Sequence, residues 1–122
     1  AMLLQDGKPA LVYGTMGGEG QPQTQAALVT RIVDYGMSVQ AAIEAPRWLY
    51  GRTWGASSNT LKLEGRIEND IQLALSEKGH DIELLANFTD IMGHAGAIWI
   101  DPDTNVKFGG ADPRGDGVAI GY

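Results

Sequence analysis

The chain contains no cysteine, which removes disulfide staples, thiolate metal sites and a cysteine nucleophile together, while leaving the compartment open. No run approaches the eighteen or so consecutive apolar residues that a membrane span requires. Basic residues are scarce, nine against fifteen acidic ones, giving a formal charge of −6 and a pI near 4.7. Without a basic stripe, a nucleic-acid partner would have to overcome phosphate repulsion, so neither nucleic acid nor membrane is expected as a partner. Two histidines are present, and no His/Asp/Glu spacing converges on a metal site, so no metal and no cofactor are expected. A nucleophile elbow G-x-S-x-G is also missing, and Ser57-Ser58 stands in no comparable context.

Glycine is what the chain has in excess, 17 of 122 residues. Its hydrophobic share of 43% and charged share of 20% are ordinary for a globular protein, so the glycines argue for tight turns rather than disorder. A chain of this length suits one unit that buries roughly two thirds of its unfolded surface.

Residues 2–5 and 10–13 flank Asp6-Gly7 as a hairpin. Pro9 is tolerated at a strand start or an edge. A helix is expected over 22–35, with Pro22 in its first turn and Leu28, Val29, Ile32 and Val33 on one apolar face. Gly36 ends it, Ser38 caps a shorter helix over 39–45, and Pro46 stops that one. Residues 47–60 read as an irregular segment in which Trp48, Tyr50 and Trp54 cover core rather than line an entrance. Leu61 to Glu64 alternates like a half-exposed strand, and 69–78 reads as a helix with Ile71, Ala74 and Leu75 inward. Asp81 to Ala86 is a strand, and 97–100 pairs with 106–108 across a turn at 101–105. The composition of elements is mixed α and β, without repeats or linkers.

The most informative stretch is Gly14-Thr15-Met16-Gly17-Gly18-Glu19-Gly20-Gln21-Pro22-Gln23, where an apolar strand ends, glycines follow and a helix begins. Glycines admit close backbone approach, and free N–H groups at a helix start favour negative charge. Phosphate, carboxylate or a developing oxyanion fits there, and a tight turn with no ligand fits equally. The P-loop ending Gly-Lys-Ser/Thr is absent and G-x-G-x-x-G is not matched in register, which disfavours nucleotides. In the tail 109–117, Arg114 is expected to hold Asp112 or Asp116 in a buried pair that fixes a turn, in preference to contacting substrate. His80 suits a helix end, while His94 in a glycine-rich loop is open to either a site or a structural role.

Taken in order, Asp6-Gly7-Lys8-Pro9, Gly14-Thr15-Met16-Gly17-Gly18, Asp34-Tyr35-Gly36-Met37, Ala42-Ile43-Glu44-Ala45-Pro46-Arg47, and Asp112-Pro113-Arg114 with Gly121-Tyr122 resemble the C-terminal end of the γ-glutamyltranspeptidase family. The resemblance implies an α+β fold, part of the four-layer αββα sandwich of the N-terminal-nucleophile hydrolases, with antiparallel sheets and flanking helices. Residues 1–122 would be one unit, the C-terminal segment of the catalytic domain of a precursor that cuts itself into two subunits. Its partners would be the remainder of the small subunit, the large subunit and a small amide substrate.

The implied activity is transfer of a γ-glutamyl group, from glutathione or a related amide, to water or an amino acid through a threonine acyl-enzyme. Backbone groups of Gly17 and Gly18 would help to form the oxyanion hole, with Asp112 and Arg114 as structural support. Members of the family usually carry proline where Met16 stands. The continuation Glu19 to Gln23 is more similar to amidases of the oxamate amidohydrolase and cephalosporin acylase type, and a non-catalytic assembly domain is the further alternative.

The threonine nucleophile and a serine pair of the family fall before residue 1 by this resemblance, and Met2-Leu3-Leu4 is already strand-like, so the chain is expected to open in mid-fold. An edge strand without partners invites pairing with another chain. Purified residues 1–122 should therefore self-associate and release no product from a γ-glutamyl anilide. A monodisperse, active monomer in sedimentation and chromogenic assays is the contrary outcome.

Overall fold

A computed structural model describes residues 1–122. In chain order its elements are β1 (Met2–Gln5), β2 (Lys8–Met16), α1 (Gln21–Val33), α2 (Val39–Glu44), β3 (Trp48–Tyr50) and β4 (Leu61–Glu64). There follow α3 (Asn69–Glu77), β5 (Ile82–Leu85), β6 (His94–Ile100) and β7 (Lys107–Ala111), with single 3-10 turns at Gly18–Gly20 and Asp90–Met92.

The larger sheet has the order β1-β2-β6-β7 and is antiparallel throughout. Its first hairpin turns at Asp6 and Gly7 with φ of +52° and +76°, the doubly left-handed geometry of a two-residue hairpin connection. A register shift lies between Leu3 and Leu4, where Leu4 faces Pro9, a residue unable to donate to the ladder. β2 and β6 are longer than the sequence indicates and run in register from Leu11 opposite Trp99 to Met16 opposite His94. Strand alternation turns Leu11, Ala95 and Ala97 toward α1 and α2, where they meet Leu28, Ile32, Val39, Ala42 and Ile43 in one cluster. Ile98 on the opposite face of the sheet is 42% exposed.

Both helices of this layer begin as their residues dictate. Pro22 occupies the first turn of α1, and the Ser38 side chain accepts from the Ala41 N–H at the start of α2. Val33, expected on the apolar face of α1, is half exposed, because the cluster ends at Ile32.

The smaller sheet, β3-β4-β5, departs from expectation in three respects. Trp48–Tyr50, read as irregular, forms a three-residue strand antiparallel to β4. β4 and β5 pair in parallel through the crossover helix α3, so the sheets are not all antiparallel. No residue of α3 is buried; Ile71 and Leu75 face an apolar cleft of about 400 Å³, walled on the other side by Trp48, Tyr50, Leu61 and Leu63. The aromatic residues expected to cover core are consequently open, Trp48, Tyr50 and Trp54 all being at least 40% exposed, while Leu49 between them is buried.

Candidate functional site

The glycine turn sits where β2 leaves the larger sheet and runs into α1. Gly17 has φ 146° and ψ 28°, and Gly18 has φ +52°, conformations open mainly to glycine. Neither residue's N–H donates to a backbone or side-chain acceptor, whereas the Gly17 carbonyl accepts from the Gly20 N–H at 2.9 Å. Gly17 is buried and Gly18 exposed. Two consecutive donors without partners in this chain, one of them in a buried residue, are free to receive a hydrogen-bond acceptor.

Space as well as torsion demands glycine here. A Cβ on Gly18 would come within 2.3 Å of the Thr53 carbonyl oxygen, and a Cβ on Gly17 would meet the Cα of Gly93 at 3.2 Å. Gly93 is constrained in return, since a Cβ there would lie 2.1 Å from the Met16 carbonyl oxygen. The turn is thus wedged between the start of β6 and the loop that follows β3.

Behind this wedge lies a buried ion network. Glu64, at the end of β4, is fully buried and receives Nε and Nη2 of Arg114, both at 2.6 Å. It also accepts from the Arg47 N–H at 3.0 Å and from Arg66 Nη2 at 2.8 Å. Asp112 accepts from the N–H groups of Ala95 at 2.7 Å and Arg114 at 3.0 Å, and from Arg114 Nη1 at 3.0 Å. Its second oxygen pairs with Arg47 Nη2 at 2.5 Å. Arg114 spends its remaining hydrogen-bonding capacity on the carbonyls of Ile43 and Ala45, so all five donors of its fork are placed.

Arg47 carries this network to the turn, donating through Nη1 to the Gly93 carbonyl at 2.9 Å. Asp112 reaches the same strand end through Ala95. The Phe88 ring closes the outer side, with the Arg66 guanidinium 3.7 Å from its centroid.

Burial alone pushes the Glu64 carboxyl up, but hydrogen bonds from Arg114 and the Arg47 N–H, with the attraction of Arg114 and the Arg66 hydrogen bond, outweigh it and hold it below its ordinary value. Burial lowers the Arg47 guanidinium from its ordinary value despite the opposing pull of Asp112. For Arg114 the pull of Glu64 and Asp112 exceeds the effect of burial, and the group lies above its ordinary value.

The expected pair of Asp112 and Arg114 is therefore present and buried, but Glu64 joins it and Asp116 stays exposed at the surface. The alternation of β4 predicts a half-exposed Glu64, and its burial follows from the charges that converge on it. His80 is exposed beyond α3. His94 opens β6, with its ring against Gly115 and a buried Nε2 that has no partner; it lies on the ladder opposite Met16.

The γ-glutamyltranspeptidase family model matches residues 1–122. The chain is 54% identical over 122 residues to the oxamate amidohydrolase proenzyme of Klebsiella pneumoniae, covering 100% of this chain and 23% of that protein. It is 50% identical over 121 residues to the glutathione hydrolase-like YwrD proenzyme of Bacillus subtilis, covering 99% of this chain and 23% of the relative. Among solved structures, cephalosporin acylase from Bacillus halodurans superposes with a TM-score of 0.84 at 33% identity, over 99% of this chain and 22% of that one. The chain thus spans about a quarter of the length of the curated relatives it matches.

Replacing Glu64 by Gln in the full-length protein leaves Arg66 without a countercharge and Arg114 with Asp112 alone, and should cost about 3–5 kcal/mol in urea denaturation. Because the folded-state value of Glu64 lies below its ordinary 4.5, its contribution is complete above about pH 4.5 and disappears as pH falls through the folded-state value. Glu64→Gln should remove that part of the acid limb. A variant with unchanged stability and unchanged acid dependence contradicts the network.

Proposed function

Because the chain belongs to the γ-glutamyltranspeptidase family, we propose that the full-length protein carrying it is an amidohydrolase working by acyl transfer, in which this segment supplies backbone donors of the oxyanion hole. The observation that carries the reading is the pair of N–H groups at Gly17 and Gly18, which have no acceptor within the chain.

In this mechanism a threonine from elsewhere in the protein attacks the amide carbon, with its own α-amino group taking the hydroxyl proton. The carbonyl π electrons move to oxygen, and the Gly17 and Gly18 N–H groups receive the oxyanion. Collapse of the intermediate expels the amine with a proton and leaves an ester; water repeats the sequence and frees the acid. Donors fixed before reaction need no reorganisation as charge develops, and one such donor is generally worth about 10²–10³ in rate. Burial of Gly17 strengthens its hydrogen bond by excluding competing water.

The substrate class is a small amide bearing a carboxylate. Glutathione and other γ-glutamyl amides are the first candidates. Oxamate is the second, favoured by the 54% identity to an oxamate amidohydrolase proenzyme. Asp112 and Arg114 act as structural support, reaching the turn through Arg47 and Gly93.

Gly17→Ala is the more tractable of the two glycine substitutions, since a Cβ there meets a Cα at 3.2 Å rather than a carbonyl oxygen at 2.3 Å. In the full-length protein the strain of a Cβ at φ 146° shifts the retained N–H from its position, and should slow acylation about 10²-fold or more, with little change in ground-state substrate affinity and with retained cooperative unfolding. An acylation rate within a few-fold of the parent overturns the oxyanion assignment. A panel of γ-glutamyl amides and oxamate on the same preparation separates the two substrate classes.

A further inference from the structure

One exposed ion pair sits beside the glycine turn in a geometry that the chemistry above does not use. Glu19 follows Gly18 directly, and its carboxylate is held bidentately by one edge of the Arg52 guanidinium, Nη2 at 2.8 Å and Nε at 3.1 Å. The Arg52 Nη1 group donates to the Gly55 carbonyl, so the fork is fixed on its own loop. The next two residues of that loop touch the turn itself. Thr53 is buried, donates to the Ile91 carbonyl at 2.5 Å, and sets its own carbonyl against Gly18. Trp54 lays its ring beside the same glycine.

An exposed ion pair adds little to stability, so a two-point clamp at this position calls for another account. The Glu19 carboxylate belongs to the residue that follows two N–H groups proposed to receive negative charge. A free carboxylate there opposes that charge by Coulomb repulsion, and an adjacent cation cancels most of it. The 3-10 turn that starts at Gly18 favours an acidic residue in its first turn, which accounts for Glu19 but not for the bidentate partner.

We propose that Arg52 is a positioning residue which neutralises Glu19 and turns it away from the oxyanion turn, so that negative charge can develop at Gly17 and Gly18. The proposal rests on the oxyanion-hole reading of those glycines.

The test is a charge cycle in the full-length protein, read as the single-turnover acylation rate, with processing and thermal unfolding followed in parallel. Arg52→Gln should slow acylation about ten-fold, and Arg52→Lys, which keeps the charge, should stay within about three-fold of the parent. Glu19→Gln should be as fast as the parent or faster, and the double variant Glu19→Gln/Arg52→Gln should recover to within about three-fold. The Arg52→Gln deficit should shrink when salt is raised from about 0.05 to about 0.5 M, because exposed charges are screened over this range.

A loop latch without an electrostatic role gives a different pattern: Glu19→Gln as slow as Arg52→Gln, no recovery in the double variant and no dependence on salt. Any of these three results overturns the proposal. If Gly17→Ala is slow while Arg52→Gln is normal, the charge role alone has failed. If Gly17→Ala leaves acylation unchanged, the oxyanion reading has failed beneath it.

Discussion

The structure depends on burying four charges at one point. Arg47, Glu64, Asp112 and Arg114 are each at most 5% exposed, and their formal charges cancel, with Arg66 added at the rim. Taking such groups out of water is expensive, and their mutual attraction offsets that only when nearly every donor and acceptor is satisfied. Here Glu64 accepts four hydrogen bonds, and Arg114 uses all five of its donors. A network so complete is costly to break and tolerates only one arrangement of the segments that meet in it. Those segments are the end of α2, the end of β4, the start of β6 and the tail after β7.

That single arrangement reaches the glycine turn by backbone contact. Arg47 holds the Gly93 carbonyl, Gly93 packs on Gly17, and Thr53 packs on Gly18. Three glycines in close approach leave no side chain that could relax, so displacement of Gly93 passes to the turn through van der Waals contact. On the proposed function, the ions would bear on chemistry without touching substrate. They set the position of a strand end on which the backbone of the turn packs.

Much of this was legible along the chain. Asp6-Gly7 demanded a two-residue hairpin, Pro22 and Ser38 marked helix starts, and the order of the glycine and Asp-Pro-Arg motifs carried the family resemblance. The fold implied by that resemblance is the one shared with γ-glutamyltranspeptidase and cephalosporin acylase structures. What was not legible depends on residues far apart in sequence. Glu64 ends a strand whose alternation predicts a half-exposed carboxylate, and its burial is tolerable because Arg114, 50 positions away, joins the Arg47 N–H and Arg66 in satisfying it. Gly93 was visible as a loop glycine, but its role comes from the facing Met16–Gly17 backbone. The strand at Trp48–Tyr50 is too short to declare itself without β4 beside it. α3 shows the opposite failure: its apolar spacing suggested an inward face, yet the small sheet leaves that face lining an open cleft.

The central claim is that the Gly17 and Gly18 N–H groups bind the oxyanion of acyl transfer. Its most direct test is a crystal structure of the full-length protein bearing a boronate adduct that mimics the tetrahedral intermediate. The expected result is one adduct oxygen about 2.7–3.1 Å from both glycine nitrogens, with the Arg47 to Gly93 hydrogen bond intact. An adduct whose oxygens lie beyond hydrogen-bond reach of both nitrogens, or glycine N–H groups engaged by acceptors from another part of the protein, would contradict it.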